Sequence, residues 1–264
     1  MHKLQLFINW IIKAYVARLF KNKQVYVFSG IRRSGNHACI NWFTNAIAGQ
    51  QTKMERQRYL TFQSADKTIL HLNEVNVLAP MAYFEFLREN RLLIQQAKTV
   101  VISLEDMVPK EKDCLYFPHH AKVIYITRDV LSTLASRLAY NIKRAKQGID
   151  RGDMQIDQSK FNLIKIIRRK KHVWYFDKWL NDKSWRTNFL AEFGLNQDIM
   201  PEMSTQGGGS TFHGQNKDQA KAMTDEDRWK EVEWPETVLT LIEKNNELLV
   251  SEEKLFLANK EKEY

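Results

Sequence analysis

A chain of 264 residues that is 44% hydrophobic and 27% charged, with 10 Gly and 5 Pro, has a globular composition, which excludes a disordered tail, a collagen-like repeat and a low-complexity linker. Its two cysteines exclude a disulfide scaffold and a four-cysteine zinc site and read as reduced thiols. The excess of 40 Lys and Arg over 31 Asp and Glu, a net +9, favours anionic partners without choosing among nucleic acid, phospholipid, nucleotide and sulfated sugar.

In the first 20 residues, Leu4, Phe7, Ile8, Ile11, Ile12, Tyr15 and Leu19 follow the spacing of one helical face. Lys13 and Arg18 interrupt the stretch, so a spanning helix is not expected. No small-residue cleavage site follows, which argues against a secretory signal. Two readings stay open: a helix packed on its own domain, or one lying on an anionic membrane through Lys3, Lys13, Arg18, Lys21 and Lys23.

Residues 25–28 form an apolar, β-rich run, and a helix follows from Gly35 with Cys39, Trp42, Phe43, Ala46 and Ile47 inward. Further strands are expected over 68–72, 99–104, 122–127 and 172–176. Helices are expected over 80–96, 130–143, 159–170, 183–193 and 235–250, with Leu131, Leu134, Ala135, Leu138 and Ile142 inward in the second of these. A polar loop covers 148–157, and a glycine-rich loop precedes the last helix. Apolar strands without alternation, separated by helices, indicate a three-layer α/β fold with a mainly parallel sheet. The amphipathic helix takes residues 1–22 and a single α/β domain takes 23–264. Ligands of such sheets bind beyond the strands' carboxyl ends.

After the first strand, Gly30-Ile31-Arg32-Arg33-Ser34-Gly35-Asn36-His37 leads into a helix. Backbone amides there can surround an anion, and two arginines add forked donors suited to phosphate or sulfate. The ATP-binding pattern GxxxxGK[ST] is absent, because Asn36-His37 stand where Lys-Ser/Thr would be. At this point the sequence resembles the sulfotransferase family, whose first strand–loop–helix holds the 5′-phosphosulfate of 3′-phosphoadenosine 5′-phosphosulfate (PAPS). Arg33-Ser34-Gly35-Asn36-His37 matches that element, with Arg32 where the family usually carries Pro. The resemblance implies a P-loop NTPase-like sulfotransferase fold, PAPS as donor, no metal, and donor-binding roles for Arg32, Arg33, Ser34, Gly35, Asn36 and His37.

Arg128 ends the fourth expected strand and Ser136 follows eight residues on, two helical turns away. An arginine paired with Asp129 would explain Arg128 structurally. The resemblance instead implies a 3′-phosphate site, because sulfotransferases use an Arg at a strand end and a Ser eight residues later. Gly207-Gly208-Gly209-Ser210-Thr211-Phe212-His213-Gly214 is similar to the family's adenine loop, with Phe212 stacking and Ser210 or Thr211 bonding the base. Arg228 looks like the donor that completes the 3′-phosphate pocket. The resemblance spans about residues 24 to 230.

Sulfuryl transfer needs an in-line acceptor oxygen, a base and cations for the leaving phosphate; positioning and electrostatics dominate. Arg33 is expected to stabilise the leaving oxygen, with His37 as second donor. Glu105, at the end of the third strand, occupies a position comparable to the family's catalytic base. His71, Asn73 and Glu74 form a rival cluster, read for acceptor binding. His119-His120 reads as surface histidines, 168–171 as a solvated helix end or a landing surface, and Trp174, Trp179, Trp185, Trp229 and Trp234 as core.

The expected function is sulfation of a hydroxyl on a glycan or glycolipid by a cytoplasmic enzyme, with no nucleic acid and with peripheral membrane contact through the first helix left open. A nucleotide or small-molecule kinase is the alternative, and a nucleic-acid binder a third class suggested by charge alone.

Overall fold

The protein is described here as a computed structural model covering residues 2–109, 117–149, 155–201, 229–230 and 232–250. Along the chain come α1 (His2–Leu19), β1 (Gln24–Gly30), α2 (Asn36–Ala48), β2 (Met54–Arg58), β3 (Thr61–Ser64) and β4 (Ile69–Leu72). Then follow α3 (Pro80–Glu89), α4 (Arg91–Gln96), β5 (Thr99–Glu105), β6 (Lys122–Thr127), α5 (Val130–Ala145) and α6 (Gln158–Arg168). The last are β7 (Val173–Tyr175), α7 (Phe176–Asn181), α8 (Lys183–Ala191) and α9 (Glu236–Lys244).

The strands form one seven-stranded sheet in the order β2-β3-β4-β5-β1-β6-β7. Strands β4, β5, β1, β6 and β7 run parallel, and β3 and β2 continue the sheet antiparallel at one edge. Side chains alternate between the two faces because a strand repeats every two residues. Val25, Val27, Leu70, Leu72, Val100, Ile102 and Leu104 pack with α1, α3 and α4. Their neighbours Tyr26, Phe28, Ile69, Val101, Ile124 and Ile126 pack with α2, α7 and α8 on the other side. A third cluster joins α5, α6 and α9 to Val173 and Ile31. The chain is therefore α/β, a mostly parallel sheet flanked by helices.

Several expectations are corrected. The helix over 80–96 breaks at Asn90, whose side-chain amide donates to Phe86 O at 2.9 Å while its carbonyl accepts from Thr61 Oγ1 at 3.2 Å. Tertiary demand from β3 thus overrides a continuous helical pattern. Strands β2 and β3 and helix α7 have no counterpart among the expected elements. Ile142 is exposed near the end of α5, and Phe7 and Ile11 face outward on α1. The last helix stops at Lys244, and a short 3-10 turn (Asn246–Leu248) follows. Among the described residues, no helix is long and apolar enough to cross a membrane.

Candidate functional site

The segments after β1, β4, β5 and β6 meet at the carboxyl end of the parallel strands, where such sheets bind ligands. Gly30 closes β1 without room for a side chain, since a Cβ would lie 2.7 Å from Asn36 Oδ1 and 2.9 Å from Ile126 Cβ. Gly35 has φ +97°, and its Cβ would fall 2.5 Å from the Phe176 ring. Close packing and backbone shape therefore require both glycines. Between them Ser34 turns inward, its amide and hydroxyl donating to Ile31 O at 3.1 and 2.7 Å. No side chain caps the first turn of α2, the arrangement in which helix-start amides can meet an anion. The start of α5 differs, because Asp129 caps it by accepting from Ser132 N at 2.7 Å.

Arg32 reaches across the sheet end to two carboxylates. Its Nη2 lies 2.8 Å from Glu74 Oε2 and its Nε 2.7 Å from Glu105 Oε2. Glu105 Oε1 accepts from Asn36 Nδ2 at 3.2 Å. Burial, followed by the nearby Glu74 charge, pushes Glu105 up to about 7, outweighing Arg32 and Asn36. A carboxyl group balanced there can accept a proton near neutral pH.

Arg33 takes the other direction. Its φ is +77°, its Nε donates to Ser136 Oγ at 3.0 Å, and its guanidinium lies 5.6 Å from the Tyr140 ring centre. Burial lowers its basicity, Tyr140 and Glu105 oppose that shift, and the Arg128 and Arg137 charges add to it. Arg33 and Arg128 therefore share one electrostatic environment. The Arg128 guanidinium sits 4.6 Å over the Phe176 ring, with Nε 3.5 Å from Asp129 Oδ2. Phe176 thus contacts both the Gly35 turn and Arg128. A small cavity beneath the loop is lined by Ile31, Ser34, Thr127, Arg128 and Thr133, among others. Ser136, placed by sequence spacing to share an anion with Arg128, accepts at its Oγ from Arg33 Nε.

His37 is half-buried at the start of α2, and burial, aided by Arg33 and opposed by Glu74, lowers its pKa. It is a neutral imidazole at pH 7 with one ring N–H to donate. His71 is buried, and burial drives it down to about 3. Its Nε2 lies 3.1 Å from Ser103 Oγ, which donates to Asn73 Oδ1 at 2.8 Å and accepts from Glu74 N at 3.1 Å. With those two bonds made, His71 meets Ser103 as a second donor, bracing the Glu74 backbone from inside.

The sequence left one pair unremarked. Arg137, 0% exposed, holds Asp106 through both guanidinium nitrogens at 2.9 and 3.1 Å. Asp106 Oδ1 in turn accepts from Arg32 N at 3.1 Å. The only signal was adjacency, since Asp106 follows Glu105 and Arg137 follows Ser136. Arg33, Glu74 and Asp106 (φ +77°, +50° and +54°) are three of six non-glycine residues with positive φ among those described. Strained backbone of this kind gathers at functional sites.

Ser210, Thr211, Phe212 and Arg228 lie outside the described residues. Trp174, Trp179, Trp229 and Trp234 are buried in the core. In the basic run, Arg168 donates to Leu248 O at 2.6 Å, while Arg169, Lys170 and Lys171 are exposed. Among the described residues no group of three or more His, Cys, Asp and Glu is placed to hold a metal. No family model, curated protein or solved structure matches the chain.

Proposed function

We propose that the chain is a PAPS-dependent sulfotransferase acting on a hydroxyl of a glycan or glycolipid. The observation that carries this reading is the meeting of Arg33, Arg128 and Ser136 beside Glu105, a carboxyl group tuned to about 7. A ligand with phosphates at both ends suits two arginines on neighbouring strand tips better than a single triphosphate tail does. The sulfotransferase form of the fold, a cytoplasmic location and completion of the adenine pocket by Ser210, Thr211, Phe212 and Arg228 belong to the same proposal.

The donor supplies an activated S–O bond. Glu105 takes the acceptor hydroxyl proton as the new O–S bond forms and the bond to the phosphate breaks. Arg33 and His37 donate to the leaving phosphate oxygen. Arg128 and Ser136 hold the 3′-phosphate, Arg33 releasing Ser136 as it turns to the donor. Arg32 keeps Glu74 and Glu105 in place.

Thermal-shift titration tests the reading. Adenosine 3′,5′-bisphosphate at about 100 times its Kd adds roughly 2.7 kcal/mol, a rise of roughly 5–10 °C. Arg33→Ala and Arg128→Ala each abolish that rise. Its persistence in both variants overturns the proposed pocket, and a response to Mg-ATP alone favours a kinase.

A further inference from the structure

Helix α1 is apolar on two sides. Ile12, Val16 and Leu19 enter the core, with Ile8 and Tyr15 packed against it, so the helix is fixed to the domain. On its opposite side Leu6, Phe7, Trp10 and Ile11 stay 55%, 57%, 65% and 39% exposed, and the Phe7 and Trp10 rings stack 6.2 Å apart. At about 3.6 residues per turn, these side chains with Ala14 and Ala17 make one strip. Lys13 borders it on one edge, Arg18 follows it at the carboxyl end of the helix, and Lys21 lies just beyond that end, all exposed. Residues 1–54 contain no Asp or Glu, whereas Lys or Arg stands at 3, 13, 18, 21, 23, 32, 33 and 53.

We infer that α1 lies flat on a bilayer containing anionic phospholipid, with Leu6, Phe7, Trp10 and Ile11 at the headgroup–acyl boundary. Lys13, Arg18 and Lys21 then meet the lipid phosphates. An apolar strip edged by cations needs an occupant that is both apolar and anionic. A nucleic acid backbone offers no apolar seat for Phe7 and Trp10. A second copy of the chain would press this acid-free helix against its own cations. The bilayer surface satisfies both demands, and the helix lies on it rather than crossing it. This inference stands apart from the sulfuryl-transfer reading and survives its failure.

Co-sedimentation of the full chain with vesicles tests it. The wild type is expected to pellet with phosphatidylglycerol–phosphatidylcholine vesicles, to stay in solution with phosphatidylcholine alone, and to be released by salt. Phe7→Asp/Trp10→Asp and Lys13→Glu/Arg18→Glu change only exposed side chains, so the thermal transition is kept. Each lowers partitioning roughly tenfold or more. Absence of wild-type binding, or binding by Phe7→Asp/Trp10→Asp equal to wild type, overturns the inference. So does a dimer in sedimentation equilibrium that the same double variant dissolves while vesicles go unbound.

Discussion

Glu105 shows how one side chain takes its chemistry from its neighbours. Arg32 Nε at 2.7 Å and Asn36 Nδ2 at 3.2 Å favour the carboxylate. Burial and the Glu74 charge oppose them and prevail, so the group titrates near 7 rather than at its ordinary 4.5. In the proposed sulfuryl transfer Glu105 is the general base and works in its ionised form, so turnover should rise with pH through about 7 and level off above. Glu105→Gln is nearly isosteric and keeps the bond from Asn36 available through its carbonyl. It should retain adenosine 3′,5′-bisphosphate binding, lose turnover by roughly 10²–10⁴-fold, and lose the rising limb. Steady-state rates across pH check this; a wild-type rate in Glu105→Gln transfers the role to Glu74. His71 is a poor rival, because at about 3 it stays neutral and bonded to Ser103.

At the scale of elements, Phe176 joins two parts of the site. The first residue of α7, it sits against the Gly35 turn and beneath the Arg128 guanidinium, 4.6 Å from its ring centre. Gly35→Ala adds a methyl group 2.5 Å from that ring at a backbone φ of +97°. The strained backbone alone costs about 1–3 kcal/mol, and the clash adds to it, displacing the ring that supports Arg128. Denaturant unfolding of Gly35→Ala, Phe176→Ala and the double variant separates the two contributions. Gly35→Ala should cost less in the Phe176→Ala background; equal costs would show that the ring does not limit the turn. The buried strands were legible because TVVISL and KVIYIT carry unbroken apolar centres, 100–102 and 123–126, without the alternation of a half-exposed strand. The β2–β3 hairpin was not. Met-Glu-Arg-Gln-Arg is polar and exposed after its first residue, and Leu60 makes the turn at φ +55° without Asn or Gly. An edge strand needs a pairing partner more than an apolar face, and pairing leaves little mark on composition.

Across the whole molecule, the strand tips that carry the candidate site were legible, since each strand-to-loop transition marks a place where charged residues collect. The pairing among them was not. Ser136 bonds Arg33 from α5, and Arg137 reaches Asp106 from the neighbouring position, contacts that depend on how α5 lies along the sheet. Burial at the strand tips also sets the response of folding to pH. His71 takes a proton below about 6.5 when unfolded, but only near 3 when folded. Its contribution to stability therefore grows as pH rises through that interval and is complete above 6.5. Glu105 acts in the opposite sense. The folded chain keeps its proton up to about 7 while the unfolded one loses it near 4.5, so stability falls as pH rises between these values. The two slopes oppose each other where the intervals overlap. Glu105→Gln removes the falling contribution, so its melting temperature should gain on the wild type from pH 4.5 to 7. His71→Asn removes the rising one, so its deficit should widen from pH 3 to 6.5, whatever its absolute stability. Melting curves at matched ionic strength decide the matter. Variant curves running parallel to the wild type would mean that neither group carries its burial into the stability of the fold.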